Sequence, residues 1–86
     1  MSISTPDWLS LHGGYLRRGL DHHVWLVMLN GTPQYQLVIT PAHGQFTCAL
    51  TQLNNAKRLD KGAVYATAEA ALQGGLEELK QTLGWG

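Results

Sequence analysis

One cysteine and four histidines are the side chains of this chain best suited to nucleophilic attack or metal binding. His22 and His23 are adjacent, and neighbouring residues of a strand point to opposite faces, so they reach one ion together only from a turn. His12 and His43 are distant from them in sequence. The chain has neither paired cysteines nor two histidines spaced for one helix face, so we expect solvated turn histidines and no metal or other cofactor.

Cys48 falls in the middle of a predicted strand, on the face that we assign to the core. A buried thiol behaves as a small apolar group, whereas a catalytic thiol needs a base beside it. His43 lies across the preceding turn and is the nearest candidate base in the sequence. A thiol-dependent enzyme that uses Cys48 and His43 is therefore the least favoured functional hypothesis.

The carboxylates and glycines also lack a catalytic arrangement. Gly13-Gly14 and Gly74-Gly75 are plain pairs, and neither stands between a strand and a helix start as a phosphate-binding loop does. The acidic residues fall at predicted helix ends, in turns and on the outer helix surface: Asp7, Asp21, Asp60, Glu69, Glu77 and Glu78. Capping and solubility explain these positions, so we predict that the chain is not an enzyme.

Two short basic pairs suggest a second functional class. Arg17-Arg18 and Lys57-Arg58 could contact phosphates if nearby aromatic residues (Trp8, Tyr15 and Tyr35) stacked on bases. Six basic residues are balanced by six acidic ones, however, whereas DNA-binding domains normally carry a basic excess. A weak single-stranded nucleic-acid-binding domain is thus the alternative function, and the charge balance does not favour nucleic acid as partner.

Length and composition indicate one small domain. The chain has 86 residues, of which 44% are hydrophobic, and so short a chain builds only a small core. The first residues, Met1 to Asp7, lack the basic and apolar regions of a signal peptide, and the longest apolar run, Val24 to Leu29, is too short to span a bilayer. A lone cysteine forms no internal disulfide. We expect a cytoplasmic protein without a membrane partner.

The clearest structural pattern is a helix over residues 67–83. Leucines recur at four-residue and three-residue spacing along one side of it, Thr67 can cap its first turn, and Gly84 suits its left-handed end. Glu77 and Lys80 can pair across one turn. Gly74-Gly75 costs helix propensity, so we expect the helix backbone to approach the sheet or another chain closely there. The leucines are Leu72, Leu76, Leu79 and Leu83.

An antiparallel sheet is predicted over residues 14–59. Val24 to Leu29 has no polar residue and is predicted to be buried on both faces, and Asn30-Gly31 suits a hairpin turn. Further turns are predicted at Asp21-His22, at Pro41 to Gly44 and at Asn54-Asn55. The other predicted strands are Tyr15 to Leu20, Gln34 to Thr40, Phe46 to Thr51 and a short charged edge at Lys57 to Leu59.

The segment before the sheet, residues 1–13, is open to two interpretations. Thr5 as a cap, Pro6 at the first helical position and Asp7 in the first turn are typical of a short helix that ends at Gly13-Gly14. Alternation of Leu9 and Leu11 with polar residues would suit an extended segment equally well. We favour the short helical turn. The predicted fold is α+β: one domain, a meander of three to five strands with the C-terminal helix on one face.

The predicted function is a small non-catalytic interaction module. Alternate positions of two strands form an uncharged sheet face, which loses little solvation when a partner covers it. The glycine pair leaves a notch in the helix surface because glycine has no side chain, and Trp85 lies beyond the C-terminal end of the helix. The partner is another protein or a second copy of the chain. The candidate binding residues are Gln34, Gln36, Thr40, Thr47, Thr51, Gly74, Gly75 and Trp85.

Overall fold

An antiparallel meander with one long helix packed on it forms the fold of the computed structural model, which describes residues 4–21 and 23–85. The predicted α+β class is confirmed. Five strands neighbour one another in chain order, and a sixth, which the sequence analysis missed, pairs with β4 beside β5. In order, the elements are α1 (Asp7–Ser10), β1 (Tyr15–Arg18), β2 (Val24–Leu29), β3 (Thr32–Ala42), β4 (Gln45–Gln52), β5 (Lys57–Arg58), β6 (Val64–Tyr65) and α2 (Ala68–Leu83).

The ends of α2 follow the predicted capping chemistry. The Thr67 hydroxyl accepts a hydrogen bond from the Ala70 amide at 3.0 Å, and Gly84 has φ 71° at the C-terminal end. The Lys80 ammonium lies 3.1 Å from a Glu77 carboxylate oxygen, as the spacing predicts. In the described part of the chain, no helix is long and apolar enough to span a membrane.

The leucine row of α2 packs on one side of the sheet, which we call the inner face. Leu72 and Leu79 are fully buried, and Leu83 packs at the border of the core. Leu9 of α1 belongs to the same cluster, so both helices lie on this side. The strands contribute Trp25, Val27, Tyr35, Leu37, Ile39, Cys48 and Leu50.

Residues with positive φ form two hairpin turns. Asn30 and Gly31, with φ of 55° and 74°, make the predicted turn between β2 and β3. The next turn is shorter than predicted because only His43 and Gly44 reverse the chain. Pro41 pairs with Phe46, so β3 extends beyond Thr40 to Ala42.

The N-terminal segment is helical, but Thr5 does not cap it. Pro6 occupies the N-cap position, and no side chain accepts a hydrogen bond there. The Thr5 hydroxyl instead accepts a hydrogen bond from the Leu16 amide at 3.0 Å. This bond satisfies an amide on the free edge of β1 and therefore limits strand pairing at that edge. The first strand is also shorter than predicted because it ends at Arg18.

The prediction that β2 is buried on both faces holds only in part. Trp25 and Val27 are buried on the inner face, whereas on the other side Met28 is buried and Val24 and Leu26 are only half-buried. The pairing shifts between Val27 and Met28, which indicates a β-bulge. The physical reason is that both helices already lie on the inner face, and the rest of the described chain supplies no second layer.

The glycine pair of α2 lets the helix backbone approach the sheet. A Cβ on Gly75 would collide with the Cys48 sulfur and lie 3.0 Å from a Leu37 methyl carbon, and one on Gly74 would collide with the Tyr65 ring. Of the two alternatives raised by the sequence, close approach to the sheet or to another chain, the structure shows the first. Gly75 is buried, and the sheet fills its notch.

We predict that Gly75→Ala destabilises the protein although alanine is the better helix former. Overpacking costs about 1–3 kcal/mol, and the collision with the Cys48 sulfur places Gly75→Ala in the upper half of that range. Helix propensity returns about 1 kcal/mol, so a net loss of about 1–2 kcal/mol is expected. Urea unfolding followed by circular dichroism measures it. Gly74→Ala is the matched control, because the half-exposed Tyr65 ring can move aside at smaller cost.

The added variant Cys48→Ala removes the sulfur atom that the new methyl group meets. We therefore expect Gly75→Ala to cost less in the Cys48→Ala background than in the wild type. A Gly75→Ala protein as stable as the wild type would contradict the close approach of α2.

Candidate functional site

The side of the sheet away from the helices, the outer face, gathers the predicted polar residues of β3 and β4. Gln36 lies opposite Thr51, and Thr40 lies opposite Thr47. The Thr47 hydroxyl donates a 3.4 Å hydrogen bond to the Thr40 carbonyl oxygen. Gln34 is half-buried near the start of β3 and lies at the bulge between the Tyr35–Val27 and Pro33–Met28 pairs. The sequence pattern therefore placed the other four residues on one surface.

Half-exposed aliphatic side chains occupy the centre of the outer face. Val38 of β3 lies between Val24 of β2 and Ala49 of β4, and Leu26 lies opposite Gln36. All four aliphatic residues are intermediate in exposure, because neighbouring strands cover their flanks while nothing in the described part of the chain lies over them. We call Val24, Leu26, Val38 and Ala49 the apolar centre.

The charges of the outer face are basic and lie at its two margins. Among the described residues, none of the strands contains an Asp or Glu. Arg17 of β1 lies opposite Leu26, and Arg58 of β5 lies opposite Thr51. The strands therefore bring arginines to the two margins and no charge to the interior of this surface.

A carboxylate neutralises one of the two margins. The Arg58 guanidinium donates hydrogen bonds of 2.7 and 2.9 Å to Asp60, whose carboxylate also accepts the Leu50 amide at 3.0 Å. The hydrogen bond from Arg58 is the main cause that lowers the pKa of Asp60, so the pair stays ionised at neutral pH. The net positive charge therefore lies at the Arg17 margin.

The other predicted binding residues lie in the helix layer. Gly74 and Gly75 face Tyr65 and the Cys48 sulfur, so the chain itself covers the predicted notch. Trp85 folds back onto the N-terminal segment. Its ring stacks on His12 with ring centres 3.9 Å apart and lies 6.1 Å from the Trp8 ring. These three residues do not join the outer face.

The residues of the nucleic-acid alternative are dispersed. Arg17 and Arg18 are on β1, at the opposite edge of the meander from Lys57 and Arg58 on β5. Arg18 points to the inner side, where its guanidinium carbon lies 4.8 Å from the Trp25 ring centre. Of the proposed stacking residues, Tyr35 is buried in the core. Tyr15 is the one on the outer face, since Trp8 is in the helix layer.

The described histidines and the thiol do not form a shared centre. His22 lies outside the described residues, and within the described ones no group of three or more His, Cys, Asp or Glu side chains could hold a metal ion. Cys48 is buried against Gly75, while His43 is exposed in the turn at the end of β3. Burial raises the pKa of the Cys48 thiol to about 12, with smaller contributions from Asp60 and Glu78.

Val24, Leu26 and Arg17 were not recognised as parts of one surface from the sequence. The uninterrupted apolar run of β2 predicts two buried faces, although only one helix of the described residues is long enough to cover a sheet. The number of predicted helices that could pack on the sheet is the feature of the sequence that argues against burial of both faces. Two faces of a sheet need two layers.

Comparisons with family models, with curated proteins and with solved structures gave no match for this chain.

We predict that Cys48 is almost inert to alkylation in the folded protein. A pKa raised from 9.0 to about 12 leaves about a thousandfold less thiolate near neutral pH, and only the thiolate reacts. Iodoacetamide labelling at about pH 8, with and without denaturant, measures this difference. Cys48 is the single cysteine, so the label reports it alone.

The direction of the pH effect on stability follows from the same shift. The folded state favours the protonated thiol, so the contribution of Cys48 to stability is complete below about pH 9 and is lost as the pH rises from 9.0 to about 12.

Ser10→Cys in the Cys48→Ala background is an exposed matched control for the labelling experiment. Equal labelling rates for Cys48 and this control would contradict the buried position.

Proposed function

We propose that this protein is a small non-catalytic interaction module that binds another protein through the outer face of its sheet. The observation that carries the proposal is the apolar centre. Val24, Leu26, Val38 and Ala49 form a continuous half-exposed patch on paired strands, with no described element over it. Contiguous apolar patches with polar surroundings are typical of protein-binding surfaces.

The polar residues around the centre suit burial. Gln36, Thr47 and Thr51 are uncharged, so covering them costs less solvation energy than covering carboxylates or ammonium groups. Their hydroxyls and amides can donate and accept hydrogen bonds across an interface. An apolar centre with a polar surround is the usual composition of a specific interface.

The charge distribution favours a different protein over a second copy of the chain. The outer face has Arg17 at one margin and the neutralised Arg58 pair at the other, and its described strands carry no carboxylate. Twofold packing of two such faces brings Arg17 either toward its own copy or toward the Arg58–Asp60 pair, so neither arrangement gives Arg17 an unpaired carboxylate. A partner with carboxylates beside its own apolar patch complements this surface better.

Photo-crosslinking from chosen positions tests this function. A photoreactive residue at Thr47 reports the outer face, and the same residue at Gln81 on the exposed side of α2 is the control. In cells that make the protein, we expect a protein adduct from Thr47 and none from Gln81. Adding Val38→Glu, which puts an unpaired charge in the apolar centre, should abolish the adduct, while Gln81→Glu should leave it unchanged.

The mass of the adduct distinguishes the partners. A second copy doubles the mass of the chain and would contradict the charge argument, while an adduct that nuclease removes would favour the nucleic-acid alternative. Equal adducts from Thr47 and Gln81, or none from either, would overturn the proposal. Circular dichroism of each purified variant verifies that it is folded.

A further inference from the structure

A second surface feature lies on the helix side of the molecule, remote from the outer face. A cleft of about 400 Å³ opens between the N-terminal segment and α2. Pro6 and Trp8 form one wall, and the buried side chain of Leu76 contributes to the apolar lining. This volume is within the range of small-molecule sites.

The polar residues of the cleft form a row on α2. Glu69, Gln73 and Glu77 lie four residues apart and therefore share one side of the helix. At 1.5 Å per residue, the two glutamates are about 12 Å apart along the helix axis, with the glutamine amide between them. The cleft thus has a carboxylate toward each end and apolar groups in between.

Among the described residues, the charged side chains that line the cleft are both carboxylates. Glu69 has no ion-pair partner among the described residues, whereas Glu77 binds Lys80 at 3.1 Å. A carboxylate has two oxygens with about four acceptor positions, so Glu77 can bind a second cation beside Lys80. Trp8 adds an indole ring to the lining, and indole rings attract cations and pack on methylene groups.

We propose that this cleft binds a linear aliphatic polyamine. One ammonium group pairs with Glu69, a second pairs with Glu77, and the methylene chain between them lies along Trp8 and Leu76. The ligand complements the cleft in two ways. Its ammonium groups are opposite in charge to the glutamates, and its methylene segments lie between the ammonium groups as the apolar side chains lie between the glutamates. This site is independent of the outer face and of its protein partner.

Titration of the isotope-labelled protein with spermidine, followed by two-dimensional NMR, tests the site. We expect saturable shifts at the Trp8 indole and at the backbone amides of Glu69 to Glu77, with a dissociation constant of roughly 1 mM or below at low salt. Butylamine, which has one ammonium group, should bind several-fold more weakly. Added sodium chloride should weaken spermidine binding because it screens the exposed carboxylates.

Matched charge variants identify the residues. Glu69→Gln should weaken binding by about twofold to fivefold, and the double variant with Glu77→Gln by roughly tenfold. Asp7→Asn removes one carboxylate from α1 outside the cleft and should leave the affinity unchanged. Trp8→Phe keeps an aromatic wall and should reduce binding only moderately.

Three results would overturn the proposal. Shifts that do not saturate, shifts of equal size with magnesium chloride at the same ionic strength, or equal losses in Asp7→Asn and Glu69→Gln would each indicate a general ion atmosphere. The NMR spectrum of each variant shows directly whether it is folded. The result does not depend on the outcome of crosslinking at the outer face.

Discussion

The close packing of α2 on β3 and β4 is the contact on which the rest of the structure depends. Gly75 brings the helix backbone against Cys48 and Leu37, and this approach lets Leu72 and Leu79 reach full burial. Burial of a leucine side chain contributes about 1.5–3 kcal/mol, so this one helix supplies a large share of the core of a small domain. A larger residue at the notch would lift the leucine row from the sheet.

This packing also determines what remains open. Among the residues that the structure describes, α2 is the one long helix, and it packs on the inner face of the sheet. Val24, Leu26 and Val38 are consequently left half-exposed on the outer face although they are aliphatic. Because α2 packs on the inner face, that face is stabilised by burial and the outer face stays open to solvent.

Local chemistry made much of the fold predictable from the sequence. The leucine spacing and the Thr67 and Gly84 caps specify α2, and Asn30-Gly31 specifies a hairpin because both residues adopt positive φ. Contacts between residues distant in sequence were harder to predict from the sequence. The hydroxyl of Thr5 binds a distant strand amide in place of its own helix, and β6 is only two residues long and forms through pairing with β4. Of the candidate site, the alternation of β3 and β4 identified the polar residues, while the apolar centre required knowledge of which layers cover the sheet.

One face of the sheet is covered by α2, while the centre of the other face lies open among the described residues. Paramagnetic relaxation of methyl groups by a soluble gadolinium chelate measures this directly, since the chelate relaxes only groups that it can approach. We expect strong relaxation of the Leu26 and Val38 methyls and weak relaxation of those of Leu37 and Leu50. Equal protection of both sets would mean that the outer face is covered and would contradict the account.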